Sequence, residues 1–132
     1  MKRINNQSGF TIIELLVFIT VVLAITIIAA SNIRDLRANN RDQESKIDVN
    51  ATAYQLEVFH EKNNYYPEKI EAKTIPGLEE KSIKDRNNLT INELGSSYTY
   101  KPSGCSEGKC KNFELKANLE KEAPFLKQSL AR

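Results

Sequence analysis

Between Leu15 and Ile33 the chain runs for 19 residues without a charged side chain. At about 1.5 Å per helical residue this stretch is roughly 28 Å long, close to the roughly 30 Å of a bilayer's hydrocarbon core. A segment of that length and character must be covered by lipid or by other protein, and a chain of 132 residues has too little remaining material to bury it. The apolar region of a secretory signal is shorter, about 7 to 15 residues, and ends at a small-residue cleavage site. This run instead passes directly into a polar helical pattern, so it reads as a retained anchor. The remainder suffices for one small domain outside the membrane and not for a second core.

From Phe10 to Tyr66 there is neither proline nor glycine, which predicts one helix from Phe10 to Lys62, 53 residues and roughly 80 Å long. Residues 10–33 form its membrane half and residues 34–62 an amphipathic half. In the second half apolar residues recur at Ile47, Ala51, Tyr54 and Val58, flanked by Val49, Ala53, Leu56 and Phe59. That spacing of three and four predicts a broad buried face. Arg37 to Lys46 is polar all round, as expected of a helix that leaves the membrane before meeting its own domain. A rod of this length cannot be buried by so small a domain, and its first half needs lipid or further copies of the chain.

Residues 63–132 have a different texture. Tyr65, Tyr66 and Pro67 close the helix, and the mixed charges, prolines and glycines that follow predict a loop with at most a short strand near Leu89 to Ile91. Tyr98 and Tyr100 alternate with polar neighbours, as do Phe113, Leu115, Ala117 and Leu119, which predicts a hairpin over about 97–119 whose apolar face covers the second half of the helix. Cys105 and Cys110 lie in the connection with no histidine nearby to complete a zinc set, so a disulfide formed in an oxidising compartment is expected. The resulting fold class is α+β, a long amino-terminal helix packed on a small antiparallel sheet.

Several functional classes find no support. The formal net charge is +2, with basic and acidic residues interspersed, so no surface reads as a nucleic-acid footprint. His60, the only histidine, has Glu57 and Glu61 close by and reads as solvated or capping rather than as a metal ligand. Glu120 and Glu122 lack the oxygen-rich spacing of a calcium loop and read as a solvated edge. Tyr98, Tyr100 and Phe113 fit core positions better than an adhesive patch. Asn50-Ala51-Thr52 and Asn88-Leu89-Thr90 fit glycosylation acceptors, a tripeptide frequent by chance. No serine or cysteine stands beside a base, and no enzyme activity, cofactor or metal is expected.

The segment Lys2-Arg3-Ile4-Asn5-Asn6-Gln7-Ser8-Gly9-Phe10-Thr11-Ile12-Ile13-Glu14-Leu15-Leu16 resembles the class III signal of type IV pilins and pseudopilins. In that family a short basic leader ends in glycine, an aromatic N-methylated residue opens the mature chain, and a glutamate sits four residues on. The resemblance implies that residues 1–9 are a leader removed between Gly9 and Phe10 by a prepilin peptidase, that Phe10 is the methylated terminus, and that Glu14 is the assembly carboxylate. It further implies a helical filament of copies of this chain, raised from the cell membrane by an assembly ATPase and a platform protein and then displayed outside the cell. The looser pattern of Tyr65-Tyr66-Pro67, the Tyr-x-Tyr strand, the cysteine loop and the Phe-x-Leu-x-Ala strand is similar to the family in layout.

Physical chemistry leads to Glu14 separately. A carboxylate inside an apolar membrane helix costs about 2.5 to 3.5 kcal/mol on insertion scales and is seldom left without a partner. After cleavage the Phe10 ammonium of a neighbouring, axially shifted helix could supply one, fixing the stagger between subunits. A capping role near the helix start, worth a few tenths to 1 kcal/mol, is the plainer alternative.

The count of positive residues flanking the run, Lys2 and Arg3 before it against Arg34, Arg37, Arg41 and Lys46 after it, favours the orientation opposite to the family's. The family's arrangement and the paired cysteines both put the leader in the cytoplasm and the carboxy-terminal part outside. Many pilins carry a proline or glycine in the first half of the helix; here Ala29-Ala30-Ser31-Asn32 is the weakest place for local melting. The related alternatives are a pseudopilin of a type II secretion machine and an anchored binding module that never polymerises and keeps its leader.

Overall fold

The computed structural model describes residues 9–130, apart from the side chain of Ser31; Lys2 and Arg3 of the expected leader lie outside the described residues. One helix, α1, spans Ile12–Asn63, within two residues of the predicted limits. It starts where it does because Thr11 caps it: the Thr11 hydroxyl accepts the Glu14 N–H at 3.2 Å and the Thr11 carbonyl accepts the Leu15 N–H at 3.1 Å. It ends because Asn64 adopts the left-handed conformation, φ 62°, with its N–H returning to the His60 carbonyl. Asparagine tolerates that conformation at a helix terminus better than most residues.

The chain divides into two compact units, one up to Arg37 and one from Ala38 onward. The first is helix alone. None of its apolar run is buried, and Ile12, Phe18, Ile27 and Ile28 are all exposed. Three polar side chains within the run are satisfied by the helix itself. Thr20 and Thr26 donate to the Val17 and Leu23 carbonyls at 2.8 Å, and Asn32 donates to the Ile28 carbonyl at 3.1 Å. Such back-bonding is the arrangement a lipid environment demands, since no water is there to take the place of a missing partner.

The second unit is the small α+β body expected. Strand β1 is Tyr66–Pro67, β2 Tyr98–Ser103, β3 Lys109–Cys110, β4 Asn112–Ala117 and β5 Phe125–Gln128. The predicted hairpin is β2 and β4, antiparallel with Tyr100 opposite Leu115, and β5 adds a third strand on the far side of β4. A separate two-stranded pair joins β1 to β3. A short 3-10 turn, Glu80–Ile83, and a bridge between Lys84 and Thr90 stand where a short strand near Leu89 was expected.

Tyr98, Tyr100, Phe113, Leu115 and Ala117 all face inward, together with Ile75, Ile83 and Ile91 from the loop. The buried phenols are each paired: Tyr100 donates to the Pro67 carbonyl at 2.7 Å, Tyr98 to Asp48 at 3.0 Å and Tyr66 to Glu57 at 2.9 Å. Their aromatic bodies therefore add buried area without an unsatisfied hydroxyl.

Of the broad face the spacing suggested, α1 gives this core the flanking part. Val49, Thr52, Ala53, Leu56 and Phe59 are buried, whereas Ile47 is 65% and Tyr54 66% exposed, Ala51 is exposed and Val58 only half-buried. Both sets obey the same three-four spacing, and the deciding partners are the strands and loops, which no local pattern reveals. The expectation that Arg37 to Lys46 is polar all round and free of the domain is likewise corrected, since Ala38 and Asp42 are buried at 5% and 2% exposure.

Cys105 and Cys110 are disulfide-bonded, with Sγ atoms 2.03 Å apart. Within the ring Glu107 and Gly108 both have positive φ, 52° and 76°, forming a two-residue turn in which Ser106 and Lys109 exchange backbone hydrogen bonds. Cys110 is buried and sits opposite Tyr66, so the link holds the turn to β1. Closing so short a loop is worth roughly 2 kcal/mol on the chain-entropy account. Reduction should lower the thermal midpoint of the second unit and leave membrane insertion unchanged. Alkylation without reductant should find neither thiol in exported protein; two free thiols would contradict the link.

Candidate functional site: the amino-terminal helix

Gly9 and Phe10 precede the helix cap and are exposed, and an added Cβ at Gly9 would meet nothing within 4 Å. The peptide bond between them is thus outside any hydrogen-bonded element, where a peptidase can reach it. Phe10 is 83% exposed. Thr11 and Glu14 have the spacing of a capping box, and the hydroxyl half of that box is made. Glu14 therefore stands in the first turn of a helix whose neighbouring side chains, Ile12, Ile13, Leu15 and Leu16, are apolar and open to the surroundings.

Between Gly9 and Ile33 there is no lysine, arginine or histidine that could neutralise Glu14. The helix N-terminus offers it a partial positive charge, worth at most about 1 kcal/mol when exposed. That falls short of the several kcal/mol by which a low-dielectric setting penalises an unpaired carboxylate. Cleavage of the Gly9–Phe10 bond would create a primary ammonium at Phe10, one turn before Glu14.

The second unit contains polar constructions of a different kind. Asp42, buried on α1, accepts the Glu120 and Lys121 N–H groups at 2.8 and 2.9 Å. Around it, Arg41 grips Glu120 through two hydrogen bonds of 2.7 and 2.8 Å, Arg86 pairs with the same carboxylate, and Lys46 pairs with Glu122 at 2.7 Å. Glu120 and Glu122 are exposed, as the sequence suggested, and through these pairs they also strap the segment after β4 onto the helix.

Asp85 forms a second knot. One oxygen accepts the Asn87 and Leu89 N–H groups and the other accepts the N–H and hydroxyl of Ser97, all between 2.8 and 3.0 Å. Burial pushes its pKa upward, but these four donors outweigh that and hold it below the ordinary aspartate value. Asp48 is raised instead, because burial outweighs the Tyr98 hydroxyl that donates to it.

A groove of roughly 600 Å³ opens beside these residues, but Lys84 pairs there with Glu80 and Lys81 with Glu44. Among the described residues no group of three or more His, Cys, Asp or Glu side chains is placed to hold a metal. His60 stacks on Tyr66, with ring centroids 4.4 Å apart. The Asp85 knot had a readable signal, since Asp85-Arg86-Asn87-Asn88 is typical of a side chain folding back on its own turn. Asp42 had none, because its donors lie 78 and 79 residues away.

The amino-terminal end of the described chain is thus an exposed apolar helix, long enough to cross a membrane, with a glycine and an aromatic residue before its cap and a carboxylate in its first turn. Residues 4–30 match the prokaryotic N-terminal methylation motif, so the chain carries the class III signal of type IV pilins and pseudopilins. Comparison with curated proteins and with solved structures gave no match. The family carrying this signal is structural rather than enzymatic.

Proposed function

We propose that this chain is a pilin, cut between Gly9 and Phe10 by a prepilin peptidase, methylated at Phe10, and polymerised through α1 into a type IV pilus. The observation that carries the reading is Glu14, alone in a wholly uncovered apolar surface, one turn from the terminus that cleavage creates. Polymerisation supplies both missing partners at once, since other copies cover the apolar side chains and a neighbouring Phe10 ammonium meets the carboxylate. The uncovered stripe of Ile47, Ala51 and Tyr54 also fits a helix with a second face available to another copy.

In this reading the ATPase and platform protein lift subunits from the membrane, and the carboxy-terminal unit faces outward. The expected result is surface fibres whose protein, identified by mass spectrometry after shearing, is this chain. Processed protein that remains entirely in the membrane under every condition of expression would contradict a pilus role.

A further inference from the structure

Four basic residues follow the apolar run, and the fold separates them into two kinds. Arg41 and Lys46 are tied to Glu120 and Glu122 within the carboxy-terminal unit. Arg34 and Arg37, which belong to the unit before it, are exposed and make no ion pair among the described residues. At 100° per residue they stand about 60° apart on one side of the helix, one turn of rise from each other. Asp35 lies about 100° from Arg34 and 160° from Arg37, and has an interaction of its own. The helix from Arg34 to Arg37 rises about 4.5 Å, within the depth of a headgroup layer when the apolar run before it fills the hydrocarbon core.

We propose that Arg34 and Arg37 form a phosphate-binding pair that engages anionic phospholipid headgroups where α1 leaves the bilayer, holding the unassembled subunit at a fixed depth. Guanidinium forks match phosphate oxygens through paired hydrogen bonds, and long side chains leaving an apolar helix reach readily for the interface. A basic residue beside an anionic leaflet favours association by roughly fivefold. The inference rests on the membrane reading above and is independent of polymerisation.

The chain has no tryptophan, so Ile33→Trp introduces a single fluorophore beside the pair. The full chain carrying it is reconstituted in phosphatidylcholine vesicles containing phosphatidylglycerol, with either lipid acyl-brominated in turn. Brominated phosphatidylglycerol should quench with a relative association constant about threefold or more above that of brominated phosphatidylcholine. The preference should fall toward one in Arg34→Gln/Arg37→Gln and in high salt, and should persist in Arg41→Gln/Lys46→Gln. Equal quenching by both lipids in the parent protein overturns the headgroup site and leaves the anchor standing. That is also the result expected if these arginines serve a neighbouring protein instead. A tryptophan quenched by neither lipid overturns the membrane reading and this inference with it.

Discussion

Surface fibres are expected to disappear in Glu14→Ala, while membrane insertion and leader removal continue. Insertion should not suffer, because the substitution leaves the first turn of α1 more apolar and the Thr11 hydroxyl still caps the Glu14 position through its backbone N–H. Assembly should suffer, because an incoming Phe10 ammonium would enter a low-dielectric bundle without a counter-charge. Breaking a buried ion pair by removing one partner costs about 3 to 5 kcal/mol, a factor of about 100 or more at each subunit contact. Glu14→Gln should fail to a similar degree, since it keeps size and loses charge. If Glu14 acted only as a capping residue, Gln would retain much of the function and Ala would lose no more than about 1 kcal/mol. Shearing fibres from cells expressing each variant and probing leader processing in the membrane fraction separates these outcomes.

Asp85→Asn should be the most damaging single-atom change in the carboxy-terminal unit. Each carboxylate oxygen accepts two donors, so an amide nitrogen in either place meets N–H or O–H groups instead of an acceptor. Asp85 is 6% exposed, which leaves little room for water to repair the mismatch. A loss of about 2 to 4 kcal/mol is expected. For a unit of this size that corresponds to a midpoint lower by roughly 10 to 20 °C, read by thermal circular dichroism of the detergent-solubilised chain.

The pH dependence has a defined sign. The folded pKa of Asp85 lies below its unfolded value, so its contribution is complete above the ordinary aspartate range and is lost as pH falls through the folded value. The gap between parent and variant should therefore be constant near neutrality and narrow below about pH 4. Asp48, whose folded pKa is raised, works in the opposite direction: its contribution favours the fold at low pH and is lost as pH rises through the folded value. It remains in both proteins and cancels from the comparison. A gap that widens on acidification would show that Asp85 is not the anionic acceptor described.

The amino-terminal half was legible because its signals are local. A run without charge, absence of proline and glycine, and a glycine-aromatic-glutamate order are properties of neighbouring residues, and α1 spans Ile12–Asn63 as they require. The β2 and β4 alternation was legible for the same reason. What escaped was chosen by distant partners. Strand β5 carries no clean alternation, and β1 and β3, two residues each, are too short to show a period.

The buried face of α1 was read too broadly: its flanking residues Val49, Ala53, Leu56 and Phe59 are buried, whereas Ile47, Ala51 and Tyr54 are exposed and Thr52 was missed. The sheet and loops pack on the flanking set, where Thr52 donates to the Ser82 carbonyl. Asp42, Arg41 and Lys46 looked like a solvated stretch because their partners, Glu120 and Glu122 and the backbone beside them, arrive from the far end of the chain.

The account depends most on where the assembled chain begins. Intact-mass and amino-terminal peptide analysis of material sheared from the cell surface should show loss of residues 1–9 and a first residue, Phe10, heavier by one methyl group. Assembled material that retains Met1 or Lys2 would contradict it, because the ammonium proposed to meet Glu14 would then not exist.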